Sequence, residues 1–184
     1  MASRTAPDSL RCVQDLVNTL DIETGADALS ADGGPGALLR AYGVAEPGPG
    51  EGELAALQEL REVLREVCLA HTAGTGVPER TARTLERLFA AAPLVLAVHP
   101  DGGAALRPAP GLGGAAQFTA RIAAGIAAAV ADGTWTRLKA CEAHDCRWVF
   151  YDRSPAGRSR WCTMAVCGSR AKMRTYRARR AESG

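Results

Sequence analysis

The sequence lacks the long apolar segments that would place a protein in a membrane. No uninterrupted apolar run approaches the roughly 20 residues that a membrane-spanning helix needs. The first 20 residues contain acidic and polar side chains where a signal peptide would keep its apolar stretch. With 47% hydrophobic and 23% charged residues in 184, the chain can still bury a core, which excludes wholesale disorder. We therefore expect a soluble, cytoplasmic protein.

Sequence motifs of catalysis are also missing. The chain contains no phosphate-binding P-loop, no G-x-S-x-G nucleophile elbow and no H-E-x-x-H metalloprotease motif. Its three histidines, His71, His99 and His144, have no visible catalytic partners. Most Asp and Glu residues fall on the predicted outer faces of helices, where solvation is their usual role. We therefore expect that the protein is not an enzyme.

The formal net charge of +2 conceals a strong asymmetry along the chain. From residue 137 to 184 there are 12 Lys and Arg against 4 Asp and Glu, a formal charge of +8. The other residues carry 10 basic and 16 acidic side chains, a formal charge of −6. An acidic body with a basic C-terminal segment suggests a polyanionic partner for that segment. Charge alone leaves the alternative open that the segment is merely well solvated.

Helical periodicity dominates the first 134 residues. Apolar side chains recur every three or four residues and predict helices near residues 9–20, 52–73, 78–90 and 115–131. Asp8 or Ser9 can cap the first of these helices. In the second helix, Arg61 and Arg65 fall among the charged residues of the predicted outer face.

Two turn-rich segments and one hairpin interrupt the helices. Residues 31–36 and 45–52 are rich in glycine and proline, and a short helix is predicted between them. The aliphatic run LVLAV, the turn sequence HPDGG and the run AALRP follow each other from residue 94 to 108. This order predicts a β-hairpin, which is marginal alone and therefore packs on the helices.

Four of the six cysteines lie close together in the basic segment. They form the pattern C-x4-C-x15-C-x4-C at Cys141, Cys146, Cys162 and Cys167. Two close pairs separated by about 15 residues are typical of a four-thiolate site for one structural Zn²⁺. Two disulfides would need an oxidising compartment, and unrelated free thiols are the other alternative. Cys12 and Cys68 lie among aliphatic residues at helical spacing, which predicts that they are buried as small hydrophobes.

The residues around these cysteines predict a knuckle, a hairpin and a terminal helix. WVFY at 148–151 is a predicted strand, DRSPAGRS is a predicted turn, and RWC at 160–162 returns the chain to the second knuckle. Ser169 can cap a helix made of RAKMRTYRARR. Three aromatic residues are predicted to cover the zinc: Trp148, Phe150 and Trp161. This order of elements is a treble-clef arrangement.

Seven basic side chains of this segment are candidates for nucleic-acid contact. On a helix, Arg170, Arg174 and Arg177 fall at i, i+4 and i+7 and make one cationic stripe. Guanidinium groups match phosphate in a bidentate manner. The predicted contact residues are Arg153, Arg158, Arg160, Arg170, Lys172, Arg174 and Arg177. The alternative is a solvated surface that docks onto the acidic body.

The cysteine segment resembles a known family. The pattern C-x4-C-R-W-V-F-Y-D-R-S-x3-R-S-R-W-C-x4-C-G-S-R-A-K is similar to the CGNR zinc finger over about residues 137–180. The preceding body resembles the ABATE domain in LVNTL near the start, in LREVLREV, and in ERLFAAAP before the hairpin. The sequence departs from the family pattern at Ser169, where the family has asparagine. The resemblance implies a bacterial transcription regulator whose four cysteines bind zinc.

These observations lead to one prediction of fold and function. We expect a mainly α, ABATE-like domain with one small β-hairpin at residues 1–134, followed by a treble-clef-like zinc finger with a basic C-terminal helix at residues 135–184. We expect a zinc-dependent, DNA-binding transcriptional regulator, whose body senses a small ligand or forms a homodimer. The alternative functions are those of a protein-interaction module and of an RNA-binding zinc module.

Overall fold

The computed structural model describes residues 4–44 and 51–182. Its elements, in chain order, are α1 Asp8–Val17, α2 Gly34–Ala41, α3 Glu51–Ala73, α4 Glu79–Ala90, β1 Leu94–Val98, β2 Ala104–Pro108, α5 Gly114–Ala131, β3 Leu138–Ala140, β4 Val149–Tyr151 and α6 Ser169–Glu182. The body is mainly helical with one small hairpin, and a four-cysteine cluster follows it. The predicted fold class is therefore confirmed. Residues 45–50 of the predicted turn at 45–52 lie outside the described ranges.

The core of the body lies where α5 crosses α1 and α3. Leu10, Leu60, Leu64 and Phe118 are completely buried there. A Cβ atom on Gly125 of α5 would lie only 2.0 Å from the Ser9 carbonyl oxygen. The backbones of α5 and α1 therefore approach closely because a glycine stands at their contact.

By length and composition alone, α5 is long and apolar enough to cross a membrane. A third of the helix is buried, in contacts with α1, α3 and β2. A core helix of a water-soluble fold meets the same criteria, so α5 gives only weak evidence for a membrane span.

Two antiparallel hairpins complete the fold. In the first, β1 pairs with β2 from Leu94↔Pro108 to Val98↔Ala104, as the sequence predicts. In the second, β4 pairs with β3, with Leu138 opposite Tyr151. The predicted pairing of WVFY with the returning RWC segment is wrong, because β3 lies before the first cysteine pair and takes that place.

The physical reason for this pairing is the apolar face that the second hairpin presents to the body. Leu138 and Ala140 of β3 are completely buried, as is Val149 of β4, and all three belong to the same hydrophobic core as α1, α3 and α5. Arg160, in the RWC segment, is exposed and could not fill that position. The hairpin therefore encloses the first knuckle and anchors it to the body.

Two predicted helix caps are wrong. Pro7 occupies the N-cap position of α1, and Asp8 lies in its first turn. Ser169 has helical dihedral angles (φ −67°, ψ −43°), and its hydroxyl donates a hydrogen bond to the Met164 carbonyl oxygen (3.1 Å). A wide π-helical turn at Met164–Gly168 runs directly into α6, so the chain has no free helix N-terminus at Ser169.

Arg61 and Arg65 are buried, with 5% and 4% of their surface exposed, which corrects their predicted position on the outer face of α3. Arg61 Nη1 pairs with the Asp27 carboxylate at 2.6 Å. Arg65 Nη2 donates to the Val17 carbonyl oxygen at 2.8 Å. The end of α1 and the segment after it cover this face of α3. Arg61 and Arg65 therefore hold that segment in place and do not face solvent.

Candidate metal centre and basic surface

The four predicted zinc ligands converge on one point. The sulfur atoms of Cys141, Cys146, Cys162 and Cys167 all lie within 4.8 Å of one another. Cys162 Sγ lies 3.6 Å from the sulfur atoms of both Cys146 and Cys167. A tetrahedral zinc with Zn–S bonds of about 2.3 Å separates its ligands by about 3.8 Å, whereas a disulfide needs about 2.05 Å. The thiols are free in this structure, and their spacing fits one structural Zn²⁺ rather than two disulfides.

Backbone conformation at two residues shapes the knuckles. Arg147, next to Cys146, has φ +55°, and its amide donates to the Ala143 carbonyl oxygen at 3.1 Å. A Cβ on Gly168, next to Cys167, would lie 2.8 Å from Met164 Sδ and 3.3 Å from Trp161, so the exposed Met164 side chain would have to move away. The glycine of the C-G-S-R sequence therefore lets Met164 and Trp161 pack closely on the second knuckle.

Position separates the four clustered cysteines from the other two. Hydrogen bonds with Cys146 and Cys162 lower the pKa of the Cys141 thiol, and the contacts with Cys141 raise the pKa of the Cys146 thiol. Cys12 and Cys68 lie instead in the apolar core of the body, where burial raises the pKa of Cys12 to about 11 and that of Cys68 to about 12. These two are therefore buried thiols, as predicted.

Side chains of the body bind the backbone of the second hairpin directly. Asn18 Oδ1 accepts a hydrogen bond from the Val149 amide (2.8 Å), and Asn18 Nδ2 donates to the Val149 carbonyl oxygen (2.9 Å). Thr72 Oγ1 donates to the Ala140 carbonyl oxygen at 2.7 Å. Arg65 Nη1 donates to the Arg147 carbonyl oxygen at 3.2 Å. The zinc finger is thus fixed to the body by side chains from two elements, the end of α1 and α3.

Asp152 organises the turn that follows β4. Its carboxylate accepts hydrogen bonds from the Ser154 amide (3.0 Å), from the Ser159 amide (2.8 Å) and hydroxyl (2.7 Å), and from Lys139 Nζ (3.2 Å). Asp152 and Lys139 are almost completely buried. Burial raises the pKa of Asp152, but the hydrogen bonds from Ser154 and Ser159 outweigh it and hold that pKa well below its usual value. This pair was not among the predicted functional residues, although Asp152 stands in the D-R-S part of the motif.

Three of the seven predicted nucleic-acid contacts are engaged within the protein. Arg153 donates to the Thr5 carbonyl oxygen at 3.0 Å and lies over the Tyr151 ring. Arg160 binds both carboxylate oxygens of Glu142 and lies over the Trp161 ring. Arg170 Nη1 pairs with Glu23 Oε1 at 2.8 Å, across the contact between α6 and the body. A polyanion would have to compete for these three side chains.

The other four predicted contacts are exposed and make no ion pair with any described residue. They are Arg158, Lys172, Arg174 and Arg177. Arg170, Arg174 and Arg177 line one groove along α6, as the stripe predicts. Lys172 lies in a second groove beside Trp161 and Tyr176. The basic residues of α6 therefore occupy two sides of the helix.

Of the three aromatic residues predicted to cover the zinc, one packs on the cysteine cluster, one is buried and one is exposed. Trp161 packs against the cysteine cluster. Trp148 is 39% exposed, so its predicted position over the zinc is wrong. Phe150 is buried beneath the Arg4 guanidinium group, which lies 4.9 Å from the ring centroid. β4 packs against the body, so its side chains contact the body and do not cover the cysteine cluster.

A helical body joined to a four-cysteine site and an arginine-rich terminal helix defines a zinc-finger protein of two parts. Residues 137–180 match the family model of the CGNR zinc finger. Residues 10–133 match the model of the ABATE family, which is described as "Putative stress-induced transcription regulator". This match covers more than half of the chain, so the chain belongs to the ABATE family, and the resemblance found in the sequence is confirmed. No curated protein matches the chain. The domain boundary between residues 134 and 135 stays a prediction, as does the treble-clef assignment.

Proposed function

We propose that the protein is a cytoplasmic, zinc-dependent transcriptional regulator that binds DNA through α6 and the turn after β4. The observation that carries this proposal is the set of four exposed basic side chains, Arg158, Lys172, Arg174 and Arg177. Like charges at i and i+4 of a helix cost a few tenths of a kcal/mol, which a phosphate partner would offset. The family description supports a role in transcription.

The zinc has a structural role in this proposal. The four thiolates and Zn²⁺ together contribute −2, so the finger keeps a formal charge of about +6. The ion would hold the wide turn at Met164–Gly168, from which α6 continues without a break. Four cysteine ligands leave no open position for a water molecule, so we propose that the protein is not an enzyme.

The test is an anisotropy titration of the zinc-loaded protein with labelled duplex DNA at several salt concentrations. Four phosphate contacts predict a slope of log K against log[salt] near about −4. Replacing Arg174 and Arg177 by Gln should reduce the slope by about 2. The matched control replaces Arg80 and Arg83, which are exposed on α4, and should leave the slope unchanged. The absence of salt-dependent binding to any duplex contradicts the proposal.

Exposed apolar residues beside the arginines support a second candidate function, that of a protein-interaction module. Val166, Met173 and Tyr176 are exposed on or next to α6. Pull-down of an acidic protein partner, with no retention of nucleic acid, would favour this function. Binding to RNA is the other alternative, and competition between duplex DNA and single-stranded RNA for the same protein separates the two.

Homodimer formation also belongs to this proposal. Leu96 and Val98 are exposed on β1, and Leu106 lies opposite Leu96 on β2. An exposed apolar face of this kind favours association with another chain. Sedimentation of the protein and of a Leu96→Lys variant checks this part, because the variant should be monomeric.

A further inference from the structure

A cleft lies where the N-terminal segment of the body meets the zinc finger. Its volume is ≈ 690 Å³, within the range of small-molecule sites. One wall is formed by Arg4, Thr5 and Gln14. The rest of the lining comes from residues 148–150 at the start of β4 and residues 162–165 of the second knuckle. A molecule bound here would contact both parts of the protein.

The lining of the cleft is largely apolar and aromatic. Trp148 and Met164 both line it, and 39% and 51% of their surfaces are exposed. Val149 and Phe150 also contribute to the lining, although both are almost completely buried. Large apolar side chains that face a concave, open space are a feature of ligand sites. The lining therefore favours a planar, apolar ligand body.

The polar groups of the cleft favour a negative charge on that ligand. Of the described residues that line it, Arg4 is the one cation and none is a carboxylate, while the zinc ligand Cys162 lies at the second knuckle end of the lining. Arg4 is fixed at the wall by a hydrogen bond from Nη1 to the Trp161 carbonyl oxygen (2.7 Å) and by the Phe150 ring beneath it. Thr163 also lines the cleft, and its buried hydroxyl has no hydrogen-bond partner among the described residues. That hydroxyl is buried behind the lining, so a ligand acceptor would satisfy it only after the Thr163 side chain turned toward the cleft.

We propose that this cleft binds a small aromatic anion, such as an aromatic carboxylate or sulfonate. The aromatic body stacks against Trp148, and the anionic group lies beside Arg4. Residues 162–165 continue into the wide turn that leads to α6, so the ligand contacts the segment that orients the arginine stripe. This regulatory consequence rests on the proposed DNA-binding function, whereas the binding site itself does not.

The test uses 1-anilinonaphthalene-8-sulfonate as the aromatic anion and N-phenyl-1-naphthylamine as its neutral counterpart. Both are titrated by fluorescence into the zinc-loaded full chain. We expect the sulfonate to bind with a stoichiometry near one and more tightly than the neutral compound. Arg4→Gln should weaken the sulfonate at least about fivefold and the neutral compound less than about twofold. Equal binding of the two compounds to the wild-type protein would overturn the proposal.

A second pair of variants locates the site. Ala165 lies exposed at the rim of the cleft, so Ala165→Glu should repel the sulfonate while the uncharged Ala165→Gln binds it nearly normally. The double variant Arg174→Gln, Arg177→Gln should also bind it normally, because these arginines lie outside the cleft. Circular dichroism checks that each variant is folded. Loss of sulfonate binding in the α6 variant, or unchanged binding in Ala165→Glu, would show that the cleft is not the site.

The regulatory part has a separate readout. The DNA titration is repeated with saturating sulfonate, and a change in affinity of at least about threefold is expected. Unchanged DNA affinity overturns the regulation but not the site, and failure to bind DNA at all leaves the sulfonate titration intact. The two proposals can therefore fail independently.

Discussion

The side-chain amide of Asn18 pairs with the backbone of Val149 as a neighbouring β-strand would. Its oxygen accepts from the Val149 amide at 2.8 Å, and its nitrogen donates to the Val149 carbonyl oxygen at 2.9 Å. Gln14 Nε2 donates to the same carbonyl oxygen at 3.1 Å. The backbone groups at one edge of β4 are thereby hydrogen-bonded to side chains at the end of α1. The body therefore extends the two-stranded sheet of β3 and β4, which joins the zinc finger firmly to the body.

Replacing Asn18 by Ala should therefore destabilise the protein by about 1–3 kcal/mol, because the Val149 amide loses its partner in a buried place. Urea unfolding in the presence of Zn²⁺ measures this change. Gln58→Ala is the matched control, since the Gln58 amide makes only an exposed hydrogen bond to Ser30 and should cost less than about 0.5 kcal/mol. Equal effects of the two substitutions would show that the strand-like pairing contributes nothing.

Loss of one zinc ligand should unfold the C-terminal half of the zinc finger and leave its N-terminal half folded. In Cys162→Ser we expect the second knuckle and the 14-residue α6 to unfold, because metal binding supplies much of their stability. Residues up to Tyr151 should stay protected, since β3 and β4 belong to the core of the body. Limited trypsin digestion with mass spectrometry locates the cuts, and circular dichroism measures the lost helix.

Cys12→Ala is the control for this experiment. The Cys12 thiol is buried among the helices. The Cys12→Ala variant should therefore still contain one zinc per chain on elemental analysis. If Cys162→Ser abolishes the helical signal of the whole chain, the finger and the body fold as one unit. That outcome would contradict a body that is stable without the metal.

Much of this fold follows from local patterns in the sequence. The helical spacing of Leu in α3 and of Phe and Ile in α5 predicts these two helices, and HPDGG predicts the turn of the first hairpin, because each pattern depends only on neighbouring residues. The spacing of the four cysteines predicts their convergence for a similar reason, since ligands of one zinc must meet. The i, i+4, i+7 stripe of α6 needs only helix geometry.

The contacts between distant segments could not be predicted in this way. The partner of β4 depends on which segment offers an apolar face to the body, and LKA does so while RWC does not. Arg61 and Arg65 look solvent-facing in the helical pattern, yet the segment after α1 covers them. The ion pair between Arg170 and Glu23 joins residues 147 positions apart, which no local pattern reports.

The buried pair of Asp152 and Lys139 provides a third prediction. Asp152→Asn keeps the shape of the side chain but leaves the Lys139 ammonium group buried without its counter-charge. We expect a loss of about 3 kcal/mol in the free energy of unfolding. Asp32→Asn, at an exposed position, is the control. In the double variant with Lys139→Met the loss should be clearly less than the sum of the single losses, and strict additivity would contradict the pairing.

Glu23 holds Arg170, so its replacement tests whether the body restrains α6. Glu23→Gln should raise the affinity for duplex DNA about two- to threefold at low salt, because Arg170 is released for phosphate. The gain should vanish at high salt. Glu79→Gln removes the same charge from an ion pair with Arg83, far from α6 in the chain, and controls for net charge. An equal gain in both variants would mean that only total charge matters.

His71 makes the contact between body and finger sensitive to acid. Its Nδ1 donates to the Leu138 carbonyl oxygen at 2.9 Å. Its ring is nearly perpendicular to the Trp135 ring (86°), with the two ring centroids 4.9 Å apart. Burial lowers the pKa of this imidazole below its ordinary value of 6.5, and the nearby Lys139 lowers it further. Below pH 6.5 the unfolded chain therefore binds the proton more readily than the folded chain does.

The free energy of unfolding is therefore unaffected by protonation of His71 above pH 6.5 and decreases as the pH falls below that value. The slope contributed by His71 can reach about 1.4 kcal/mol per pH unit. His71→Asn keeps a donor at the position of Nδ1 but cannot take up a proton, so its urea stability should change less between pH 7 and pH 5.5. His144→Asn, whose side chain is exposed, should follow the wild-type curve. If the wild-type and His71→Asn curves run parallel with zinc in excess, the acid sensitivity arises from the cysteine site and not from the contact of His71 with β3.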